Sequence, residues 1–222
     1  MRRVRILASL VLFASTALAA PFAVQVGDAR LALDAPPGFA DVQATGSPRL
    51  LELAESLTSA SNRILLFALE DGDVRRFSLG DSPELRRYVI VVTPKSLESA
   101  RVQLGAFQGL VADALREVGP PVPASSDVRR YLDGQPRGQP ALLAELRKDQ
   151  DVVAVLQSAR LPDAPRSRDA PRYLLSTMTL MLVRGKALNL AIYTSYAADA
   201  DLEWIRSTTL RWIEELQRLN LR

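Results

Sequence analysis

The 222-residue chain contains no cysteine and no histidine, and lysine supplies only three of its 28 basic residues. Each absence closes a class of chemistry. Without cysteine there is no thiol nucleophile, redox pair, iron–sulfur cluster, thiolate metal site or disulfide. Without histidine there is no Ser-His-Asp triad, no imidazole base and no His-ligated zinc. None of the lysines, Lys95, Lys148 and Lys186, follows a serine by three positions, so a Ser–Lys nucleophile pair has no support. Carboxylate chemistry, hard-cation binding or the absence of catalysis are what survive.

The 28 basic against 25 acidic residues suggest an acidic partner until the first residues are read. Arg2, Arg3 and Arg5 precede an apolar run from Ile6 to about Leu18, and Ala17 and Ala19 occupy the −3 and −1 places of a cleavage site. Residues 1–19 read as a signal peptide for general secretion, with an apolar run short of the ~20 residues that span a bilayer. No cysteine follows to carry a lipid anchor. Without the three leader arginines, 25 basic groups face 25 acidic ones. The mature chain, residues 20–222, is then formally neutral, which removes the global warrant for nucleic acid or an anionic membrane as partner. At 203 residues, and in a sequence 48% apolar, it is expected to form one domain with a full core.

Apolar runs 22–26 and 29–33 flank Gly27-Asp28, as in a hairpin, and Pro36-Pro37 stop it. Ser47-Pro48 opens a helix with Leu50, Leu51, Ala54 and Leu57 as its buried stripe and Asn62 as its stop. Residues 63–69 form a continuous apolar strand; Glu70-Asp71-Gly72-Asp73 then reads as a turn, with Val74–Leu79 returning beside it. Tyr88–Thr93 is the strongest β signal, rich in branched residues and ended by Pro94. A long helix is expected from Ser96 to Val118, closed by Gly119-Pro120-Pro121, and a short helical turn at 127–132. Strands follow at 142–147 and 152–161. A hairpin then runs from Tyr173–Val183 through Arg184-Gly185-Lys186 to Ala187–Tyr196, with Met178, Leu180 and Leu182 making a fully apolar face. The last element is a helix from Asp199 to Asn220, whose seam is Leu202, Ile205, Thr209, Trp212, Leu216 and Leu219. Strands mostly in hairpins with interspersed helices define an α+β fold, an antiparallel sheet covered by helices.

This order resembles the Mog1/PsbP-like α/β/α sandwich. The opening hairpin into Ala35-Pro36-Pro37-Gly38-Phe39 is similar to that group's Leu-Pro-x-Gly-Trp step, and Leu180 to Leu219 matches its closing hairpin and helix. The chain is also similar to exported bacterial proteins that end in an Arg-Gly-Lys hairpin and an Asp-Leu-Glu-Trp helix. The resemblance implies a non-catalytic accessory module, with photosystem assembly and protein binding among the group's roles, and carries over no functional residue.

Among candidate sites, Asp199, Asp201 and Glu203 would suit a hard cation, but Asp199 as N-cap with two acids in the first turn explains them. Glu70-Asp71-Gly72-Asp73 lacks the ligand spacing of a calcium loop. Gly105 and Gly109 suggest close helix packing. The arginines Arg75-Arg76, Arg86-Arg87, Arg129-Arg130, Arg166, Arg168 and Arg172 would make an anion site if they converged, and the loop 163–172 is where their acidic neighbours are few. Trp212 belongs to the core seam and Trp204 to its edge. No catalytic, metal or cofactor residue is assigned. The expected function is a periplasmic or secreted, non-enzymatic module that binds a protein or envelope component. The alternative is a carboxylate-based envelope hydrolase, whose acid pair would stand about 5–9.5 Å apart.

Overall fold

The computed structural model describes residues 21–122, 127–162 and 172–221. The leader and most of the loop 163–172 lie outside them. Its scaffold is set by the branched strand Arg87–Pro94 (β5), which pairs antiparallel with Asn62–Glu70 (β4) on one side and Lys186–Tyr196 (β9) on the other. Tyr173–Val183 (β8), Val152–Arg160 (β7) and Pro140–Lys148 (β6) extend the sheet beyond β9, while Phe39–Asp41 (β3) caps the β4 side. The order β3-β4-β5-β9-β8-β7-β6 is antiparallel throughout. Phe22–Val26 (β1) and Ala29–Leu33 (β2) form a separate hairpin.

Period-two alternation along β5 divides the core. Val89 and Val91 face the hairpin and the C-terminal helix Asp199–Asn220 (α5), whereas Tyr88, Ile90 and Val92 face Pro48–Ser56 (α1) and Asp71–Ser78 (α2). Leu104–Val118 (α3) lies on Val153, Ala187, Leu180 and Leu182, and Val128–Asp133 (α4) sits near β7. An α/β/α sandwich results. The α5 seam is as the spacing requires: Ile205, Thr209, Trp212 and Leu216 are buried, and Leu202 and Leu219 half-buried. Asn220 ties α5 to the hairpin by exchanging both amide bonds with the Ala32 backbone, as a neighbouring strand would.

Three sequence expectations are corrected. The segment 71–78 is helix, not turn and strand: Val74 and Phe77 are three apart and pack together against the core, and Asp71 and Asp73 in the first turn balance Arg75 and Arg76 in the last. The long helix begins at Leu104, not Ser96. The carbonyls of Glu98 and Ala100, which would anchor a helical turn there, instead accept the Lys186 ammonium at 3.1 and 2.9 Å. The 184–186 turn is the two-residue step Arg184-Gly185, both left-handed (φ 50° and 78°), and Lys186 already belongs to β9. In β8 the deepest burial falls on Tyr173, Leu175, Thr177, Thr179, Met181 and Val183, while Met178, Leu180 and Leu182 are half-buried. Thr177 replaces a ladder partner, its Oγ1 accepting the Ile192 N–H at 3.1 Å, whereas the buried Thr179 hydroxyl has no hydrogen-bond partner among the described residues.

Lys186 is 1% exposed, and its third partner is Asp28 at 2.8 Å in the β1–β2 turn. Replacing it by methionine leaves two carbonyls unpaired and is expected to lower stability by about 1–3 kcal/mol. Urea unfolding with an unchanged midpoint would refute that role for the ammonium.

Candidate functional site

Helix α1 buries one apolar stripe and leaves a leucine outside it. Leu50 and Ala54 are buried against Val42 and Phe67, whereas Leu51, expected in that stripe, is 38% exposed. One step off the stripe is 100° around a helix, so Leu51 turns with Glu55 and Thr58 toward a groove of about 480 Å³. Its other wall is Asn62, Arg63 and Ile64 at the start of β4, with Lys95 beyond the end of β5 and Gln43 also lining it.

The loop between α1 and β4 is held firmly. Asn62 Nδ2 donates to Thr58 Oγ1 at 3.1 Å, the Ser59 and Ser61 hydroxyls share a bond of 2.8 Å, and the Lys95 N–H donates to Ser61 O at 2.9 Å. Lys95 Nζ donates to Ala60 O at 2.8 Å. Glu98 pairs with Arg63 and compensates its charge, while no carboxylate among the described residues forms an ion pair with Lys95. The lining therefore combines an apolar wall of Leu51, Ala54 and Ile64 with hydroxyls, one ammonium and one carboxylate, Glu55.

The groove also borders an unfinished sheet edge. β3 covers only Ala68, Leu69 and Glu70 of β4, and one further bond joins the Val42 N–H to Phe67 O at 2.9 Å. The chain then leaves in a 3-10 turn at 43–45. From 63 to 66 the outer side of β4 has no strand neighbour among the described residues, but Leu65 and Leu66 are fully buried, so only Arg63 and Ile64 border the groove. A bulge between Ile64 and Leu66 falls in this stretch and turns Leu65 and Leu66 both to the α5-side core.

The acidic cluster of the sequence is structural. Ala198, not Asp199, is the N-cap; the Asp201 carboxylate folds back to accept the N–H groups of Ala197 and Ala198 at 2.9 and 3.1 Å. Asp199 accepts the Tyr196 hydroxyl at 2.9 Å, and burial followed by this carboxylate pushes that phenol up to about 12. Arg87 organises the same end of the sheet. It donates to Asp201 at 3.1 Å and Thr194 at 3.3 Å, stands 3.7 Å from Glu70, and its guanidinium carbon lies 4.0 Å from the Trp204 ring centre. Trp204 also meets Phe39, so it belongs to the edge of the core. Burial pushes the Glu70 carboxyl up against the pull of Arg87.

The other arginines disperse. Arg76 pairs with Glu84, Arg75 donates to Asp71 O, and Arg172 donates to Pro162 O, while Arg166 and Arg168 fall outside the described residues. Asp73 of the acidic turn accepts the N–H groups of Glu84 and Leu85, both at 3.0 Å. Gly105 and Gly109 are exposed, and a Cβ at either would meet nothing within 4 Å, so close helix packing does not explain them. Among the described residues no three metal-ligating side chains gather, and no helix is long and apolar enough to cross a membrane. Sequence reasoning missed Leu51 and the groove border at Arg63 and Ile64. Only the 4, 3 spacing of Leu50, Ala54 and Leu57, which leaves Leu51 outside, signalled the first.

Topology and groove together define a three-layer α/β/α sandwich with an antiparallel central sheet and a groove between α1 and the start of β4. Solved structures similar to it include a glutamate-to-alanine mutant of the protein Mog1, 13% identical, covering 91% of this chain and 94% of that one, with a TM-score of 0.38. Another is the Saccharomyces cerevisiae Ran-binding protein Mog1p, at 12% identity, 92% and 94% coverage and a TM-score of 0.37. No protein-family model and no curated protein matches the sequence.

Proposed function

We propose that the chain is an exported, non-enzymatic module that binds a protein or envelope component through the α1–β4 groove. The observation that carries this reading is the exposed Leu51 facing Ile64 across a cavity of about 480 Å³, within the roughly 300–1,000 Å³ of ordinary ligand sites. A carboxylate hydrolase needs two acids across its cleft, and Glu55 is the only carboxylate lining this one, which supports binding over hydrolysis. The leader-like residues 1–19 support export.

The test places a photo-crosslinking amino acid at position 51, with exposed Arg211 on α5 as the control position. Crosslinking in cells is expected to give a reproducible adduct from position 51 and none from 211. Equal adducts from both, or none from 51, would count against the groove. Osmotic-shock fractions should contain a chain shortened by 19 residues; full-length protein confined to the cytosol would overturn export.

A further inference from the structure

We propose that the β1–β2 hairpin is a strap that undocks as one unit while the seven-stranded sheet stays folded, and that Arg184, Trp212 and Asn220 form the latch that holds it shut. No residue of this device lines the α1–β4 groove.

The hairpin keeps its backbone ladder to itself. β1 and β2 pair with each other, no strand of the seven-stranded sheet pairs with either, and no backbone–backbone bond among the described residues joins 22–34 to the rest of the chain. Opening therefore breaks no ladder. In the linker that follows, Pro36 and Pro37 have no N–H to lose, and Pro36 O bonds only within the turn, to the Phe39 N–H at 3.1 Å. Anchoring to the sheet resumes at Gly38, whose carbonyl accepts the Asp71 N–H at 3.0 Å. Residues 35–37 are thus the hinge.

The latch lies along the outer edge of β2. A two-residue turn makes Val26 and Ala29 a hydrogen-bonded pair, so alternation points the N–H and C=O groups of Ala29, Leu31 and Leu33 at β1 and those of Arg30, Ala32 and Asp34 outward. Each outward residue meets a side chain. Arg184 Nη1 donates to Arg30 O at 3.0 Å, and Trp212 Nε1 donates to Asp34 O at 2.7 Å. Between them Asn220 accepts the Ala32 N–H at 3.0 Å and donates to Ala32 O at 2.8 Å. A further bond from Asn220 Nδ2 to Leu216 O at 2.8 Å fixes the amide on its own helix, and Arg184 Nε reaches Asn220 O at 3.4 Å. Three side chains therefore do for this edge what a third strand would do, but without a strand's cooperative ladder.

Apolar burial supplies the closing force. Val26, Leu31 and Leu33 are at most 1% exposed, in the cluster that also holds Val183, Leu188, Ile213 and Leu216. The turn end gives the strap a fixed seat. Asp28 meets the Lys186 ammonium at 2.8 Å, and Gly27, at φ 55°, sits so close to Glu98 O that a Cβ there would collide with it. An isolated two-stranded hairpin is marginal in water, so once undocked its amides exchange.

Hydrogen exchange on the mature chain reads the opening without any substitution. Amides of 22–34 are expected to exchange as a group, about a hundredfold or more faster than those of 89–92 in β5, and with a weaker dependence on urea. Asn220→Ala should speed exchange across 22–34 about tenfold and leave 89–92 within about twofold. The absence of cysteine allows a second readout. Leu31→Cys and Val91→Cys each place one thiol at a fully buried position, in the strap and in the sheet. Labelling at 31 should outrun labelling at 91, and Asn220→Ala should accelerate the first alone. Exchange of 22–34 at the rate and urea dependence of 89–92 would mean that the hairpin opens only with the whole domain, which overturns the strap. Equal acceleration of both regions by Asn220→Ala makes Asn220 a general stabiliser and overturns the latch, as does no acceleration at 22–34. Should Asn220→Ala fail to fold, Arg184→Ala removes the Arg30 bond from outside α5 and carries the same test.

Discussion

Trp212→Ala should lower stability by about 3–5 kcal/mol, the range for deleting a buried indole. Trp212 is 3% exposed at the centre of the α5 seam, packed in the core cluster that joins the helix to the sheet and the β1–β2 hairpin. Its Nε1–H donates to the Asp34 carbonyl at 2.7 Å, so the substitution opens a cavity and strands a backbone acceptor at once. For a domain of this size, each kcal/mol shifts the melting temperature by about 2–4 °C. Trp212→Phe separates the two contributions. It keeps most of the packing and should cost about 1–2 kcal/mol. Calorimetry in which both variants melt within a degree of the parent would refute the anchoring role. A selective loss of amide protection in the hairpin would show that α5 holds it in place.

Asp201→Asn should cost about 2–3 kcal/mol at neutral pH, and the cost should shrink in acid. Burial raises the Asp201 carboxyl, but the N–H groups of Ala197 and Ala198 and the Arg87 guanidinium outweigh it and hold the group below its ordinary 3.8. A depressed carboxyl contributes stability above its unfolded pKa and loses it as pH falls through the folded value. The window therefore lies below about pH 4, and wild type and variant should converge there. Breaking a fully buried pair costs about 3–5 kcal/mol; the lower figure here reflects Arg87, whose side chain is 21% exposed and keeps Glu70 nearby. Glu70 works in the opposite direction, since its raised carboxyl binds a proton more readily in the folded chain. Melting curves at pH 7, 4 and 2.5 read the difference directly. A gap between the two proteins that stays constant across that range would remove Asp201 from the acid response.

Local patterning determined most of the elements. The β1–β2 hairpin, β5, β8 and α5 were legible because each depends on neighbours in sequence: a two-residue Gly-Asp step, a branched run, two facing alternations and a 3, 4 seam. The readings that failed were settled from a distance. Residues 71–78 fit either a strand or a short helix until packing on the sheet selected the three-residue spacing of Val74 and Phe77. The start of α3 was decided by Lys186, 88 and 86 positions away from the two carbonyls it occupies. Which side of β8 is core depended on where α5 lands, and both faces are apolar enough to accept it.

What the sequence alone determined about function is largely exclusion. The missing cysteine and histidine remove whole chemistries whatever the fold, because the reacting atoms are absent. The groove was decided only in three dimensions. Leu51 reads as one more buried leucine, and Arg63 and Ile64 as the start of one more apolar strand, until β3 stops after three residues and leaves them bordering a groove beside α1. Such a border is a property of where a neighbour ends, and no residue type on the strand itself records it.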